Sequence, residues 1–219
     1  MENTADSESF RVTQLTALNT AKVLTILLLV TFAWVFGVQN RRQVLYLCLQ
    51  LTYCLWWLLE QRVYPQWRQQ MMGKSVGVGG VVSALLLAGS LYALPGYLAF
   101  INPEPLSLMV IIVALPLFII GSLIHSRANL NKFTAEQDKV GLVSYGRWHF
   151  SSNINYFGNL LRYLSFSIVA GSIWAYLIQG MIALLYLQGI FQKEQARLQQ
   201  NQDNEEYQPS NSRLIPFVW

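Results

Sequence analysis

Two sets of side chains in this chain have the types and spacing to do chemistry. In SSNINYFGNLLRYLSF, Ser151 to Phe166, a helix begun near Asn155 places Asn155, Asn159 and Arg162 on one face, at steps of four and three residues. A guanidinium and two amides suit a phosphate or carboxylate and a heterocyclic ring or ribose. The plainer reading is a helix capped by its Ser/Asn cluster, with an arginine reaching for the surface; spacing alone favours that one. Arg127, Lys132, Lys139 and Arg147 add cations to the adjoining loop and move the balance toward a nucleotide or similar anion.

The second set lies in VLYLCLQLTYCLWWLLEQ, where Tyr46, Gln50, Tyr53, Trp57 and Glu60 follow one another at helical steps and form one stripe. Such a stripe can line an apolar substrate, with Tyr53 or Glu60 placed to donate or relay a proton. It can equally be an aromatic helix anchored at a membrane interface, with Glu60 hydrated beside Arg62. The two readings are evenly weighted.

The elements that must position these residues are membrane helices. Of the 219 residues, 53% are hydrophobic and 12% charged, about half the usual charged share of a soluble domain. Apolar runs occur at Val23 to Val38, Val44 to Leu59, Val76 to Phe100, Leu106 to Ile124 and Tyr156 to Phe191. As one helix the last would be about 50 Å long, against a hydrocarbon core of about 30 Å. It must fold back, with Gly171 and Ser172 at the turn. The expected architecture is an all-α, integral-membrane helical bundle of about six transmembrane helices. Residues 1–22 form a polar N-terminal segment, 23–124 hold four spans, and 125–219 hold a long loop, a helical hairpin and a tail. The start MENTADSESF lacks a cleavable signal's pattern.

Lysine and arginine cluster in Gln61 to Lys74, in Ser126 to Phe150 and after Phe191, which places the long loop and the C-terminus in the cytoplasm; Arg41 and Arg42 then fall on the far side. A net charge of +4 scattered over juxtamembrane loops suits anionic headgroups, and nucleic acid is not an expected partner. Cys48 and Cys54 fall on different helix faces, and His125 and His149 have no ligand at metal spacing, so neither a disulfide nor a metal is expected. Both histidines read as interfacial or loop residues. GKSVGVGG fails as a phosphate loop because Arg68 stands where its first glycine would fall; Gly77, Gly79 and Gly80 are expected to permit close helix packing. Gln61 to Lys74 is expected to be a polar loop along the interface.

Three stretches carry a resemblance. SSNINYFGN matches a Tyr-Ser-Arg-His-Ile/Pro-Asn-Tyr-x-Gly-Glu/Asp pattern in Ser151, Ile154, Asn155, Tyr156 and Gly158. YCLWWLLEQRVYP matches a Tyr-Gly-x-x-Trp-Leu-Leu-Lys stretch ending in proline, and the segment from KEQ near Glu194 through Tyr207 to SRLIPFVW matches a Lys-Glu, Tyr and Leu-Ile-Pro-Phe close. In these the chain resembles the membrane steroid 5-alpha-reductase-like family and its bacterial relatives. The resemblance implies a helical membrane fold with a cytoplasmic cofactor pocket in its C-terminal half. It further implies NADPH as cofactor and hydride transfer to a conjugated double bond of a lipid or isoprenoid. Taken with the two faces above, it makes Asn155, Tyr156, Asn159 and Arg162 the candidates for the cofactor, with Lys132, Tyr207 and Arg213 as additions, and Tyr53 and Glu60 the candidates for the substrate side. The chain departs from the pattern at Ser152 and Asn153, where Arg-His is usual, at Asn159, where an acid is usual, and at Asn129 of an Asp-x-x-Lys pattern. Two alternatives stay open: an S-adenosylmethionine-dependent membrane methyltransferase on a related scaffold, and a non-catalytic subunit or assembly factor that binds partner subunits, pigments or lipids and needs no cofactor.

Overall fold

The computed structural model describes residues 11–137 and 153–200. The chain divides into two compact units, Met1–Pro105 and Leu106–Trp219.

The first unit is built on two 23-residue helices, α1 (Gln14–Phe36) and α2 (Arg41–Val63). Thr13 caps α1 by accepting from the Thr16 amide at 3.1 Å. Gly37, with φ of 69°, ends it in a conformation that a side chain would strain. Asn40 and Gln43 form a reciprocal capping box that starts α2. Pro65 opens α3 (Pro65–Met72), so the stretch expected to be an interfacial loop is instead the end of α2 followed by a short helix. Strands β1 (Val12–Thr13) and β2 (Ser75–Val76) pair antiparallel and tie the start of α1 to the end of this segment.

The third long apolar run then forms α4 (Val78–Ala84), a π-helical stretch Leu85–Leu91 and α5 (Tyr92–Ile101). Two glycines let it approach its neighbours. A methyl group on Gly89 would lie 3.3 Å from the Ala21 carbonyl, and one on Gly96 would lie 2.7 Å from Leu29 Cδ2 and 2.9 Å from Tyr46 Cε1. The glycines expected to do this behave otherwise: nothing lies within 4 Å of a methyl group at Gly77 or Gly79, and at Gly80 the neighbour is Val76 of the same segment. Clustering in sequence is no guide here, because close approach requires a glycine at the crossing point of two helices. At the other end of the unit Phe32, Phe36, Tyr97 and Phe100 pack ring on ring at 5.8–6.5 Å. There Arg42 donates to the Glu104 carbonyl at 3.2 Å and Gln43 to that of Phe100 at 3.1 Å. Arg42 is thus held inside the protein, unlike a free loop cation.

The second unit contains α6 (Leu108–Gln137), α7 (Ile154–Ala170) and α8 (Ile173–Gln200). The apolar run Leu106 to Ile124, grouped by sequence with the earlier spans, belongs here. The reason is a crossing of α6 and α7 at two glycines: a methyl on Gly121 would meet the Gly158 carbonyl at 2.6 Å, and one on Gly158 the Gly121 carbonyl at 2.7 Å. The long final run folds back where expected. Gly171 takes the left-handed conformation with φ of 65°, its N–H returns to the Ser167 carbonyl at 3.0 Å, and Ser167 Oγ donates to the Ala175 carbonyl at 3.0 Å.

Among the described residues four helices are long and apolar enough to cross a membrane: Gln14–Phe36, Val78–Ile101, Leu108–Asn131 and Ile173–Gln192. Large apolar side chains such as Trp34, Leu108, Met109, Leu123, Ile173 and Leu184 stand exposed on them, as lipid-facing residues do. The other two expected spans are helices as well. However, α2 carries Arg41, Arg42, Gln43, Gln50, Glu60, Gln61 and Arg62, and α7 has 17 residues interrupted by amides and an arginine. The fold is an all-α membrane fold in which the polar side chains concentrate on these two helices.

Candidate functional site

In the first unit the stripe on α2 faces inward. Tyr46, Gln50, Tyr53 and Glu60 are all buried. Their surroundings include a residue that the sequence reading passed over. α1 starts at Gln14, well ahead of the apolar run, and carries Lys22 into the interior at 3% exposure. Lys22 Nζ donates to the Tyr53 hydroxyl at 3.0 Å. The same ammonium lies 4.5 Å from the centroid of the Tyr53 ring, 4.8 Å from that of Tyr92 and 5.7 Å from that of Trp57. Each such contact in a desolvated setting contributes up to about 2 kcal/mol, which offsets part of the cost of burying the charge. Tyr92 immediately follows the π-helical stretch, whose wider turns reset which side chains of that segment face α1.

One step toward the end of α2, Glu60 is engaged by Arg68 of α3, and both are buried. The Arg68 guanidinium stacks on Trp57 at 3.8 Å and Trp67 at 4.6 Å. Asn19 and Gln61 exchange hydrogen bonds at 2.8 and 2.6 Å, and Asn19 also accepts from the Trp57 indole at 3.1 Å. Glu60 therefore anchors α3 against α2, a role unlike that of a hydrated carboxylate beside Arg62. Arg68 was legible only as a loop cation.

In the second unit Asn155, Tyr156, Asn159 and Arg162 all lie in the first half of α7. Arg162 is 3% exposed and donates to the Asn159 side-chain oxygen. Asn159 in turn donates to the Tyr186 hydroxyl of α8 at 3.3 Å, and the Tyr186 ring stacks on Tyr156 at 4.7 Å and 16°. The Asn153 side chain makes no capping bond, so Asn153 does not serve as the cap that the plainer reading invoked.

His125, expected at an interface or in a loop, is a buried residue of α6. Its Nδ1 lies 3.1 Å from the Asn155 carbonyl, which can only accept, so Nδ1 carries the hydrogen and Nε2 accepts from Asn129 at 2.9 Å. Asn129 and His125, four residues apart on one helix, thus bind the start of α7. That spacing was the available signal. The side chains of Lys132, Tyr207 and Arg213, and the loop with Ser152 and His149, lie outside the described residues.

Each unit thus gathers a polar cluster: in the first a buried ammonium and phenol among aromatic rings, next to the buried Glu60–Arg68 pair, and in the second a buried guanidinium and imidazole with amides and two stacked, half-buried phenols. Comparison with curated proteins gives no match. Comparison with protein families does: residues 81–219 match the family described as 3-oxo-5-alpha-steroid 4-dehydrogenase. The match spans Tyr92 and the whole of the second cluster, and begins after Lys22, Tyr53, Glu60 and Arg68. On this match, which covers well over half of its length, the chain belongs to the 3-oxo-5-alpha-steroid 4-dehydrogenase family, whose members are reductase-like membrane proteins.

Proposed function

We propose that this protein is a multi-pass membrane reductase that binds NADPH through α7 and saturates a conjugated double bond of a lipid or isoprenoid carrying a carbonyl. The observation that carries this reading is Arg162. It is a buried guanidinium within the family-matched segment, held by Asn159 on the face where Tyr156 and Tyr186 stack. The donor set fits a nucleotide: a guanidinium for a phosphate, amides and an imidazole for ribose and ring edges, and a flat aromatic pair for a ring face. When bound, the dinucleotide supplies a hydride.

The protein's own part is to hold and orient, and to deliver a proton. Tyr53 is the proton source in this reading, because its hydroxyl is buried beside an ammonium whereas Glu60 is committed to Arg68. Asn155 and Tyr156 contact the dinucleotide, with Lys132, Tyr207 and Arg213 as further ligands. The basic segment Gln61 to Lys74, the loop 125–150 and the C-terminus face the cytoplasm, where NADPH is available.

Purified protein in nanodiscs is expected to oxidise NADPH when given a 3-oxo-4-ene steroid or an isoprenoid enone, followed by loss of nicotinamide absorbance and product mass. Failure to bind NADPH by calorimetry sinks the oxidoreductase reading. One observation favours a second reading. Where the related pattern has acids, Asn129 and Asn159 are bonded to His125 and Arg162 of the same unit, as in a scaffold that has lost its ligand. A stoichiometric protein partner after mild extraction, with no nucleotide bound, would establish that non-catalytic role.

A further inference from the structure

We propose that the segment joining α2 to β2 is a docking surface for anionic phospholipid headgroups, with the Trp67 indole donating to a lipid phosphate and Arg62 and Lys74 holding its charge. The inference lies wholly within the first unit and is independent of the reductase reading.

The depth of this segment follows from what it is joined to. The two helices of the unit that are long and apolar enough to cross a membrane, Gln14–Phe36 and Val78–Ile101, each begin directly after a strand of the β1–β2 pair. The strand pair therefore marks one membrane surface. α2 ends at the same level, because Gln61 exchanges hydrogen bonds with Asn19 near the start of α1. Lying between α2 and β2, α3 is held at the depth of the headgroups. Val63, Tyr64 and Met71 stand exposed along it and suit the acyl boundary just beneath.

The charges at this surface are of one sign. Arg62, in the last turn of α2, and Lys74 are exposed, and both donate hydrogens without accepting any. The acids among the described residues of the unit are Glu60 and Glu104; Glu60 is buried against Arg68, and Glu104 lies at the opposite end, where its carbonyl accepts from Arg42. Among the described residues, then, no exposed carboxylate at this end competes for the two cations. A second observation, independent of charge, points to a ligand. Trp67 is 4% exposed, and its Nε1 hydrogen has no acceptor among the described residues. An indole nitrogen can only donate, and a donor buried without an acceptor is costly. The Arg68 guanidinium lies 4.6 Å from the centroid of the same ring, so the surroundings of that N–H are positive. What completes such a donor set is an oxygen that accepts only and carries negative charge, and at this depth the phosphates of lipids supply it. A zwitterionic headgroup would bring its own cation against Arg62 and Lys74, which favours lipids with a net negative charge.

The test reconstitutes the full chain in nanodiscs of equal phosphatidylglycerol and phosphatidylcholine, releases it into mild detergent and counts the retained lipids by native mass spectrometry. Wild type is expected to retain phosphatidylglycerol over phosphatidylcholine by at least about fivefold, and Arg62→Gln with Lys74→Gln to reduce that preference below about twofold. Arg41→Gln, an exposed cation at the far end of α2, is the control and should keep the wild-type preference. Trp67→Phe keeps the ring and removes the donor, and should lower the phosphatidylglycerol retained by about fivefold. Equal retention of the two lipids by wild type overturns the proposal, and decides the matter even if a variant does not assemble. So does an equal loss in Arg41→Gln, which would mean that net charge alone is read, or unchanged retention in Trp67→Phe. Millimolar inorganic phosphate should leave the phosphatidylglycerol in place; its displacement would make this a site for a soluble anion and would likewise overturn the assignment to lipid.

Discussion

Gly158→Ala is the substitution that most directly tests how the second polar cluster is held. The added methyl would lie 2.7 Å from the Gly121 carbonyl, 2.8 Å from the His125 amide nitrogen and 3.1 Å from Ile124 Cγ2. The two closest atoms are backbone atoms of α6, so no side chain can swing aside. The helices must separate by roughly 0.7 Å before the contacts become ordinary ones. The hydrogen bond from His125 Nδ1 to the Asn155 carbonyl, now 3.1 Å, crosses this same junction and would lengthen beyond useful range. Overpacking costs about 1–3 kcal/mol and the lost bond about 1, against a gain of about 1 from replacing glycine within a helix; the net destabilisation is about 1–3 kcal/mol. The control is Gly180→Ala on α8, where nothing lies within 4 Å of the new methyl; it should gain up to about 1 kcal/mol. Equilibrium unfolding in mild detergent, monitored by circular dichroism, gives both values. NADPH affinity of Gly158→Ala should fall alongside, since the start of α7 is what His125 fixes. If Gly158→Ala proves as stable as Gly180→Ala, the glycine crossing is not what joins α6 to α7, and the reasoning fails.

Three further outcomes follow from the same geometry. Arg68→Met leaves the Glu60 carboxylate buried beside Trp57 and should cost about 3–5 kcal/mol, whereas Glu60→Gln with Arg68→Met should recover most of that loss; a double-mutant cycle by the same unfolding assay checks the coupling. Arg162→Met removes a charge-assisted contact and should weaken NADPH binding by about 10- to 100-fold in calorimetry, while Arg162→Lys, lacking the planar fork, should recover only part of it. Gly171→Ala forces a side chain into a left-handed turn and should cost about 1 kcal/mol, with Gly171→Asn milder; thermal unfolding of the two variants ranks them.

What the sequence made legible was whatever depends on one helix. The stripe Tyr46, Gln50, Tyr53, Glu60 and the face Asn159, Arg162 follow from helical periodicity alone; the stripe turned out to be buried, as did Arg162, with Asn159 half-buried beside it. The hairpin at Gly171 and Ser172 followed from a length argument, since an apolar run that overshoots the bilayer must reverse. Lys22 was missed for the opposite reason. Its position beside an apolar run reads as the snorkelling end of a span, and the residues that explain its burial, Tyr53, Trp57 and Tyr92, come from two other segments. Arg68 was missed similarly: QWRQQMM has the composition of an interfacial loop, and its burial depends on a carboxylate eight residues earlier.

The glycines mark the same boundary more sharply. Gly77, Gly79 and Gly80 attract notice by lying close together, yet the helix contacts are made at Gly89, Gly96, Gly121 and Gly158, none of which has another glycine within six residues. A glycine that matters for packing is defined by its partner helix, which a single sequence does not contain. The same reasoning separates the two polar clusters. That of the second unit could be found from α7 because the family pattern concentrates there, although His125 and Tyr186, which hold it, come from α6 and α8. That of the first unit lies largely ahead of the family-matched residues and emerges only when α1, α2 and α5 are assembled.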